Sequence, residues 1–377
     1  MNSLLKKIFF FALLTCSTSS FGQTLLLSNK ANVSVITCDT GNESYSLFGH
    51  TAVRISDPDN NLDVVYNYGA FDFATPNFVA KFAKGDLQYF AIAHSFSDFL
   101  SQYTYEQRSV FEQELLIPLA SKQQLFDNLN AVLASEERYY TYKFIDRNCT
   151  SMVVEILNKT LKSEVIFKKE ETDKTYRSIL YPYFDNSFYQ KLGTSIIFGT
   201  KVDEYGTRIF LPLELHKSLQ QTQFENHPLS KESNTLLDFK KEKPSSWWDN
   251  IYTFILLLGF IVVVNKKSLD LFYISLMGLL GLFFGFMGFY SFHQELAYNY
   301  NILLFNPFLL VLLYFIYSKN SKWIINLSLL NIFFLFAYVI FMLNKIHLLI
   351  VLPLVLTSMV LLVKIIFRNS KRIPVVF

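Results

Sequence analysis

Cysteine is scarce in this 377-residue chain, which has only Cys16, Cys38 and Cys149. If Cys16 is removed during export, only one intramolecular disulfide is possible, between Cys38 and Cys149. The net charge of +3 is too small, and the basic residues are too dispersed, for a nucleic-acid-binding protein. The chain also lacks internal repeats and low-complexity tracts, which excludes repeat architectures.

The N-terminus has the three-part pattern of a secretory signal, predicted over residues 1–22. Two lysines precede an apolar run over residues 8–14, and small polar residues lead to a predicted cleavage site near Gly22. Cleavage there removes Cys16 and leaves the other two cysteines in an oxidising compartment. An alternative is lipidation of Cys16 in "LLTC", although threonine is a poor residue just before a lipidated cysteine.

The rest of the chain divides into a soluble domain and a membrane domain. Residues 23–226 mix charged and aromatic residues as a soluble domain does, and the polar stretch 227–246 is predicted to be a linker. Residues 247–377 contain five apolar segments, each about as long as a membrane crossing requires. The predicted spans are 247–264, 269–292, 301–317, 323–343 and 347–367.

Charges in the loops orient the membrane domain. If residues 23–226 are exported, the basic residues after the first, third and fifth spans all lie in the cytoplasm, as the positive-inside rule requires. The loops on the other side contain only one lysine or arginine, Lys345. Three lysines at 240–243, however, precede the first span on its outer side. We expect the signal peptide to outweigh them, so the N-terminal domain is predicted to be exported.

Within the exported domain, strands followed by helices predict an α+β fold. Alternation in "LFGHTAVRIS" and in "LDVVYNYGAF", joined by the turn "DPDNN", predicts a β-hairpin. Cys38 ends the strand before this hairpin. We favour a buried structural thiol for Cys38, with a disulfide partner and a cleft residue as alternatives. A disulfide to Cys149 would silence a reactive sulfur at position 149.

Cys149 is predicted in the first turn of a helix that follows a strand, within "YYTYKFIDRNCTSMVVEIL". With Asn148 as the N-cap, unpaired backbone N–H groups and the helix dipole favour a thiolate, and Arg147 can add to this effect. A reactive thiol also needs a proton acceptor, and only His50 and His94 occur before residue 210. His50 is the better candidate, since it begins a strand among small neighbours.

Several motifs, in this order, resemble the exported domain of the Lnb-type lipoprotein N-acyltransferases of Bacteroidota: "LFGHTAVRI", "VVYNYGAFDF", "YKFIDRNCTS" and "GTKVDEYGTRIFLPLEL". The resemblance continues into the membrane domain through "FHQELAYNYNILLFNPF". It implies a permuted papain-like fold, similar to NlpC/P60-like acyltransferases, with the histidine before the cysteine. His50 and Cys149 then take the roles of base and nucleophile. The chain departs from the family in having Gln294 after the loop histidine, where a proline is expected.

The resemblance also implies a polar side chain that orients the ring of His50, and Asn67 is the preferred candidate. Tyr68 and Asp72 are alternatives, because a one-residue slip in the hairpin register sends Asn67 to the opposite face. A purely structural bend at "NYG" is a further alternative.

Other polar residues are candidates for binding substrate. Arg54, on the His50 side of its strand, is suited to a lipid phosphate or equally to a surface salt bridge. The exported loop between the second and third spans holds a dense polar group at the membrane edge, where ionisable residues are often functional. The candidate substrate-binding residues are Arg54, Tyr68, Asp72, Arg147, Asn148, His293, Glu295, Asn299 and Asn301.

The resemblance implies that an acyl chain moves from a membrane phospholipid to the α-amino group of a diacylglyceryl-cysteine lipoprotein, through a thioester on Cys149. The expected partners are this phospholipid donor, the diacylated lipoprotein acceptor and the membrane; no cofactor, metal or nucleic acid is expected. The implied location is the inner, cytoplasmic membrane, with the catalytic domain in the periplasm. Alternatives are a membrane-anchored Cys/His cell-wall peptidase or amidase, and a non-catalytic membrane scaffold.

Overall fold

The N-terminal part of the protein is an α+β domain and the C-terminal part is helical. The computed structural model describes residues 25–43, 45–241 and 246–370. The predicted signal peptide, residues 1–22, lies outside these described residues. The predicted fold class, an α+β domain followed by a helical membrane region, is confirmed.

An antiparallel sheet of seven strands organises the N-terminal domain, in the order β6-β4-β3-β2-β1-β5-β9. The strands are β1 (Asn32–Cys38), β2 (His50–Asp57), β3 (Leu62–Ala70), β4 (Gln88–Ser95), β5 (Val110–Glu114), β6 (Tyr139–Thr141) and β9 (Asn234–Leu237). A separate ribbon pairs β7 (Gln223–Phe224) with β8 (His227–Pro228). β1 lies inside the sheet, between β2 and β5, and is buried along nearly its whole length, so its residues are apolar or small on both faces.

Helices cover both faces of the sheet. Helix α2 (Phe96–Tyr105) packs on one face through Phe99 and Tyr103, against Ile36 and Val65 of the sheet. Helices α3 (Leu119–Leu133) and α4 (Cys149–Leu161) pack on the other. The remaining helices of this domain are α1 (Phe78–Lys84), α5 (Tyr176–Leu180), α6 (Phe188–Ile197) and α7 (Pro212–Gln220).

The β2–β3 hairpin forms at the predicted place. Its turn is a short 3-10 helix, Pro58–Asn60, closed by Asn61 in the left-handed conformation with a φ of 49°. Proline at the first position and asparagine at the left-handed position both suit this turn. The turn sets the register so that Ala52 lies opposite Asn67.

The stretch predicted to be a linker belongs instead to the sheet domain. β9 (Asn234–Leu237) pairs with β5, and Leu236 and Leu237 pack on the core beneath that edge. The polar composition of this stretch did not indicate a strand. An edge strand buries few side chains and gains stability from its backbone hydrogen bonds to the neighbouring strand. The domain boundary therefore lies after residue 237 rather than at 226.

All five predicted spans contain a helix, but only some of these helices are long enough to cross a membrane. The helices are α8 (Ile251–Val264), α9 (Lys267–Tyr290), α10 (Phe308–Tyr317), α11 (Ser321–Met342) and α12 (Leu348–Ser370). Within the described residues three helices, α9, α11 and α12, have the required length and hydropathy. α10 and the short helical turns before it would be a fourth span, bent by 41°.

The two remaining segments fall short of a straight crossing for local reasons. α8 has 14 residues, or about 21 Å, against a hydrocarbon layer of about 30 Å. It starts late because the Asn250 side chain caps it by accepting from the N–H groups of Tyr252 and Thr253. The third predicted segment is interrupted before Pro307, which cannot continue the preceding helical turns.

The exported loop between α9 and α10 holds the membrane domain against the sheet domain. The Gly199 N–H donates to the carbonyl of Glu295 at 2.7 Å. Asp203 accepts from the Tyr300 hydroxyl at 2.7 Å and pairs with the buried Arg177 at 2.7 Å and with Lys345 at 2.8 Å. Buried charges of this kind need partners, so the network constrains how the two parts meet.

Replacing Gly199 by alanine should loosen this junction. A Cβ at Gly199 would lie 1.9 Å from the carbonyl oxygen of Ala297, so backbone must move. We expect a loss of about 1–3 kcal/mol, seen as a lower thermal midpoint of the full chain in detergent. Gly193→Ala is the matched control, because nothing lies within 4 Å of its Cβ position and the substitution favours helix α6. Equal stability of the two variants would contradict the prediction.

Candidate active site

Cys149 is the first residue of α4, and the preceding Asn148 holds it there. The Asn148 Oδ1 accepts from the N–H groups of Thr150 at 2.9 Å and Ser151 at 3.0 Å. Its Nδ2 donates to the carbonyls of Phe144 at 2.7 Å and Phe210 at 2.9 Å. These four bonds use the hydrogen-bonding capacity of the amide. Asn148 is thus the predicted N-cap, and its side chain is not free to bind substrate.

His50 begins β2 and points its ring toward this helix start. Gly49 turns the chain into the strand with a φ of 82°, a conformation that glycine adopts without strain. The His50 Nε2 lies 3.1 Å from the Asn67 Oδ1. Because the amide oxygen accepts only, this contact puts a proton on Nε2 and leaves Nδ1 free to accept one.

Asn67 reaches His50 because of the hairpin register. Asn67 lies opposite Ala52, and Ala52 shares a face with His50 two residues earlier along β2. Tyr68 consequently points to the opposite face, where its ring packs edge-on against Tyr140. Of the three candidates for orienting His50, the structure brings only Asn67 to the ring. The Asn67 Nδ2 also lies 3.4 Å from Nδ1 of the exposed His94.

A bulge in β3 lets the helix start approach the sheet. The pairing of β3 with β4 shifts between Asn67 and Ala70. Gly69 lies in this bulge with a φ of 102°, and a Cβ there would be 3.6 Å from the Cβ of Cys149. The Thr51 and Thr150 hydroxyls, 3.0 Å apart, further join β2 to the first turn of α4.

The two thiols of the described chain have opposite electrostatic settings, and both are free. Burial raises the pKa of Cys149. The charge and hydrogen bond of His50 lower it, and so do hydrogen bonds from the Thr51 backbone and the Thr150 side chain. Together these effects outweigh burial. The pKa of Cys149 is therefore below its ordinary value of 9.0. Burial dominates at Cys38 and raises its pKa to about 12. Cys38 is the buried thiol that we favoured, and the disulfide alternative is not found.

Four other candidate residues of the sheet domain are placed differently from Asn67. Arg54 pairs with Asp63 at 2.8 Å and Glu112 at 3.0 Å and stacks on Phe96, so the surface salt-bridge alternative describes it. Asp72 is exposed and accepts from the Ala74 N–H in a turn. Strand geometry explains both positions. Arg54 lies too far along β2 to reach the ring of His50, and Asp72 lies beyond the end of β3. Tyr68 is buried on the other face, and Arg147 is exposed beside the site, over the ring of Tyr140.

The predicted loop residues of the membrane domain contact protein groups. The ring of His293 bonds to the Phe82 carbonyl at 2.9 Å, and the Glu295 carboxylate accepts from the Ile145 N–H at 3.2 Å. The Asn299 side chain donates to the carbonyls of Ile196 and Ile197, and that of Asn301 to the same backbone segment. These residues hold the sheet domain on the membrane domain, and of the four only Glu295 also lines an open cavity at this junction, together with Lys143, Gln294 and Arg208.

Sequence reasoning missed Tyr140, which lies beside the thiol. Its side chain is buried, and its hydroxyl has no hydrogen-bond partner among the described residues. This hydroxyl is 4.0 Å from the Cβ position of Gly69, on the side where Cys149 approaches. The only signal in the sequence was the short strand before α4, in which one of several tyrosines could not be singled out.

Two family models match the chain. The model described as the Lnb N-terminal periplasmic domain matches residues 8–181, and the model described as the Lnb transmembrane domain matches residues 250–372. The chain belongs to the Lnb family. It shows no significant similarity to a curated protein or to a solved structure.

This Lnb-family chain is a membrane protein with a periplasmic N-terminal domain and a transmembrane C-terminal domain. The family membership indicates a lipoprotein-processing membrane protein. In the described part of the chain, no group of three or more His, Cys, Asp or Glu residues could hold a metal ion.

The titration of Cys149 should depend on His50. Alkylation by iodoacetamide follows the thiolate, so its rate should rise with pH to a midpoint below 9.0 in the wild-type protein. His50→Ala removes the main lowering effect and leaves burial opposed only by the Thr51 and Thr150 hydrogen bonds, so the midpoint should rise. His216→Ala removes an imidazole that bonds to Ser233, away from this site, and should leave the midpoint unchanged. An unshifted midpoint in His50→Ala would contradict the proposed pairing.

Proposed function

We propose that this chain is a thiol acyltransferase that N-acylates lipoproteins. The observation that carries the proposal is the placement of His50 between Cys149 and Asn67, at the start of a helix where a thiolate is stabilised. The family membership supports lipoprotein processing, and the hydrogen-bonded junction with the membrane helices supports lipid substrates.

In the first step, the Cys149 thiolate attacks the carbonyl carbon of a phospholipid acyl ester. As the C–S bond forms, the carbonyl oxygen becomes an oxyanion. The C–O bond to glycerol then breaks, and the His50 imidazolium gives its proton to the departing glycerol oxygen. The products are an acyl thioester on Cys149 and a lysophospholipid.

In the second step, the α-amino group of a diacylglyceryl-cysteine lipoprotein attacks the thioester. His50 takes a proton from the nitrogen, the C–S bond breaks, and an amide is released together with the Cys149 thiolate. Asn67 holds the ring of His50 in one orientation for both proton transfers. The membrane domain confines both lipid-anchored substrates to the bilayer beside the site, which we place at the periplasmic face of the inner membrane.

The oxyanion needs hydrogen-bond donors, and the first turn of α4 supplies few. Asn148 already occupies the N–H groups of Thr150 and Ser151. The N–H of Cys149 remains, because the first N–H of a helix has no acceptor within the helix. We propose the unpartnered hydroxyl of Tyr140 as the second donor.

Cells in which only a Cys149→Ser chain is present should lose N-acylation of their lipoproteins. A serine hydroxyl has too high a pKa for this His50-assisted site to ionise it as it does the thiol. Mass spectrometry of lipoprotein N-terminal peptides should find the diacylated form in place of the triacylated form. Cys38→Ala is the control and should retain N-acylation, since Cys38 is a buried thiol with a raised pKa. Persisting N-acylation with Cys149→Ser would refute the mechanism.

Tyr140→Phe should slow acyl transfer without changing the thiol. Loss of one oxyanion donor typically lowers kcat by about 100-fold or more. The pH midpoint of Cys149 alkylation should stay near the wild-type value, because His50 still sets it. Tyr66→Phe removes a buried hydroxyl that bonds to Asn130 and should have little effect on kcat. Wild-type kcat in Tyr140→Phe would exclude the hydroxyl from this role.

A further inference from the structure

Helix α1 exposes its apolar residues to the surroundings of the sheet domain. None of its seven residues is buried. Val79 is 77% exposed, and Phe73, just before the helix, is 70% exposed. Phe82 in the next turn is also exposed. A soluble domain rarely exposes such a set of large apolar side chains unless they contact a partner.

The C-terminal end of α1 is fixed to the end of the membrane helix α9. Three carbonyls of its last turn accept hydrogen bonds from the loop that follows α9. The Phe82 carbonyl bonds to the His293 ring, that of Ala83 to the Ser291 hydroxyl at 2.8 Å, and that of Lys84 to the Phe292 N–H at 2.7 Å. These bonds satisfy groups that a helix end normally leaves unpaired. They also place α1 at the level where α9 leaves the membrane.

The apolar surface of α1 continues onto α9. The ring of Phe82 is next to the ring of His293, 6.0 Å away between centroids, and Lys84 lies over the ring of Phe292. Phe292 is exposed, and Phe289 on the last turn of α9 is 95% exposed. Lysines beside aromatic side chains are typical of segments that lie at a membrane surface.

An aromatic path leads from this surface toward the thiol. Phe73 packs on Phe71 at 4.8 Å between ring centroids, and Phe71 on Tyr89 at 5.2 Å. Tyr89 packs in turn on Tyr140 at 6.4 Å. Packed aromatic rings therefore connect the exposed apolar surface with Tyr140, which lies beside Cys149.

We propose that α1, together with Phe73, is a membrane-contacting surface, with Phe73, Val79 and Phe82 inserted into the outer boundary of the lipid acyl chains. The partner is the lipid bilayer itself, on the leaflet where α9 ends. This surface fixes the height of the sheet domain above the membrane. The inference rests on the fold and the exposed side chains, and it does not require the proposed acyl transfer.

The depth of α1 can be measured with a spin label in the full-length chain. Val79→Cys is labelled in a C16A/C38A/C149S background and reconstituted into vesicles of phosphatidylethanolamine and phosphatidylglycerol. Collisions of the label with oxygen, which concentrates in the bilayer, are compared with collisions with nickel-EDDA, which stays in water. A label at Phe289→Cys marks the membrane helix, and one at Asp59→Cys, in the turn at the far end of β3, marks water.

We expect the oxygen-to-nickel collision ratio at position 79 to match that at position 289 and to exceed that at position 59 severalfold. A label at Phe73→Cys should behave in the same way and guards against a local distortion at position 79. A water-like ratio at both positions overturns the proposal. So does protection from both reagents, which would indicate a protein partner. Because the background lacks Cys149, the result is independent of whether the chain transfers acyl groups.

Discussion

The structure of the site depends on the amide of Asn148. Its four hydrogen bonds start α4 at Cys149 and join this turn to the carbonyls of Phe144 and Phe210, from two other segments. A helix end leaves its first N–H groups unpaired, so a side chain that pairs them also decides where the helix begins. The bond between Thr51 and Thr150 then sets this fixed point against β2. The positions of the thiol and the imidazole follow from these contacts.

Two thiols in one domain show that burial does not decide reactivity alone. Cys38 and His50 are paired residues on neighbouring strands, yet the pKa of Cys38 is raised to about 12 by burial. Burial also raises the pKa of Cys149, but His50 and hydrogen bonds from Thr51 and Thr150 lower it by more. The difference lies in which groups surround each sulfur, because a low-polarity environment strengthens every charge that it contains. Only one of the two is thereby suited to act as a nucleophile.

The membrane loop has a positional role that its polar composition did not reveal. Polar groups buried between two domains must find partners, and here they find backbone carbonyls and a shared carboxylate, Asp203. The loop thus holds a sheet domain at a defined place on the membrane helices. For the proposed chemistry between lipid-anchored molecules, such placement matters as much as the reactive groups, since those molecules move only within the bilayer plane.

Local patterns in the sequence determined much of this protein: the α+β class, the β2–β3 hairpin, the helix beginning at Cys149 with its Asn148 cap, and the apolar helices. These features arise from contacts between near neighbours, which periodicity and capping residues reveal. Tertiary structure alone decided that Asn67 faces His50, that Arg54 is held by carboxylates, that residues 234–237 complete the sheet and that Tyr140 lies beside the thiol. The reason is physical: strand register and edge pairing depend on residues far apart in the chain, and a shift of one residue reverses which side chains meet.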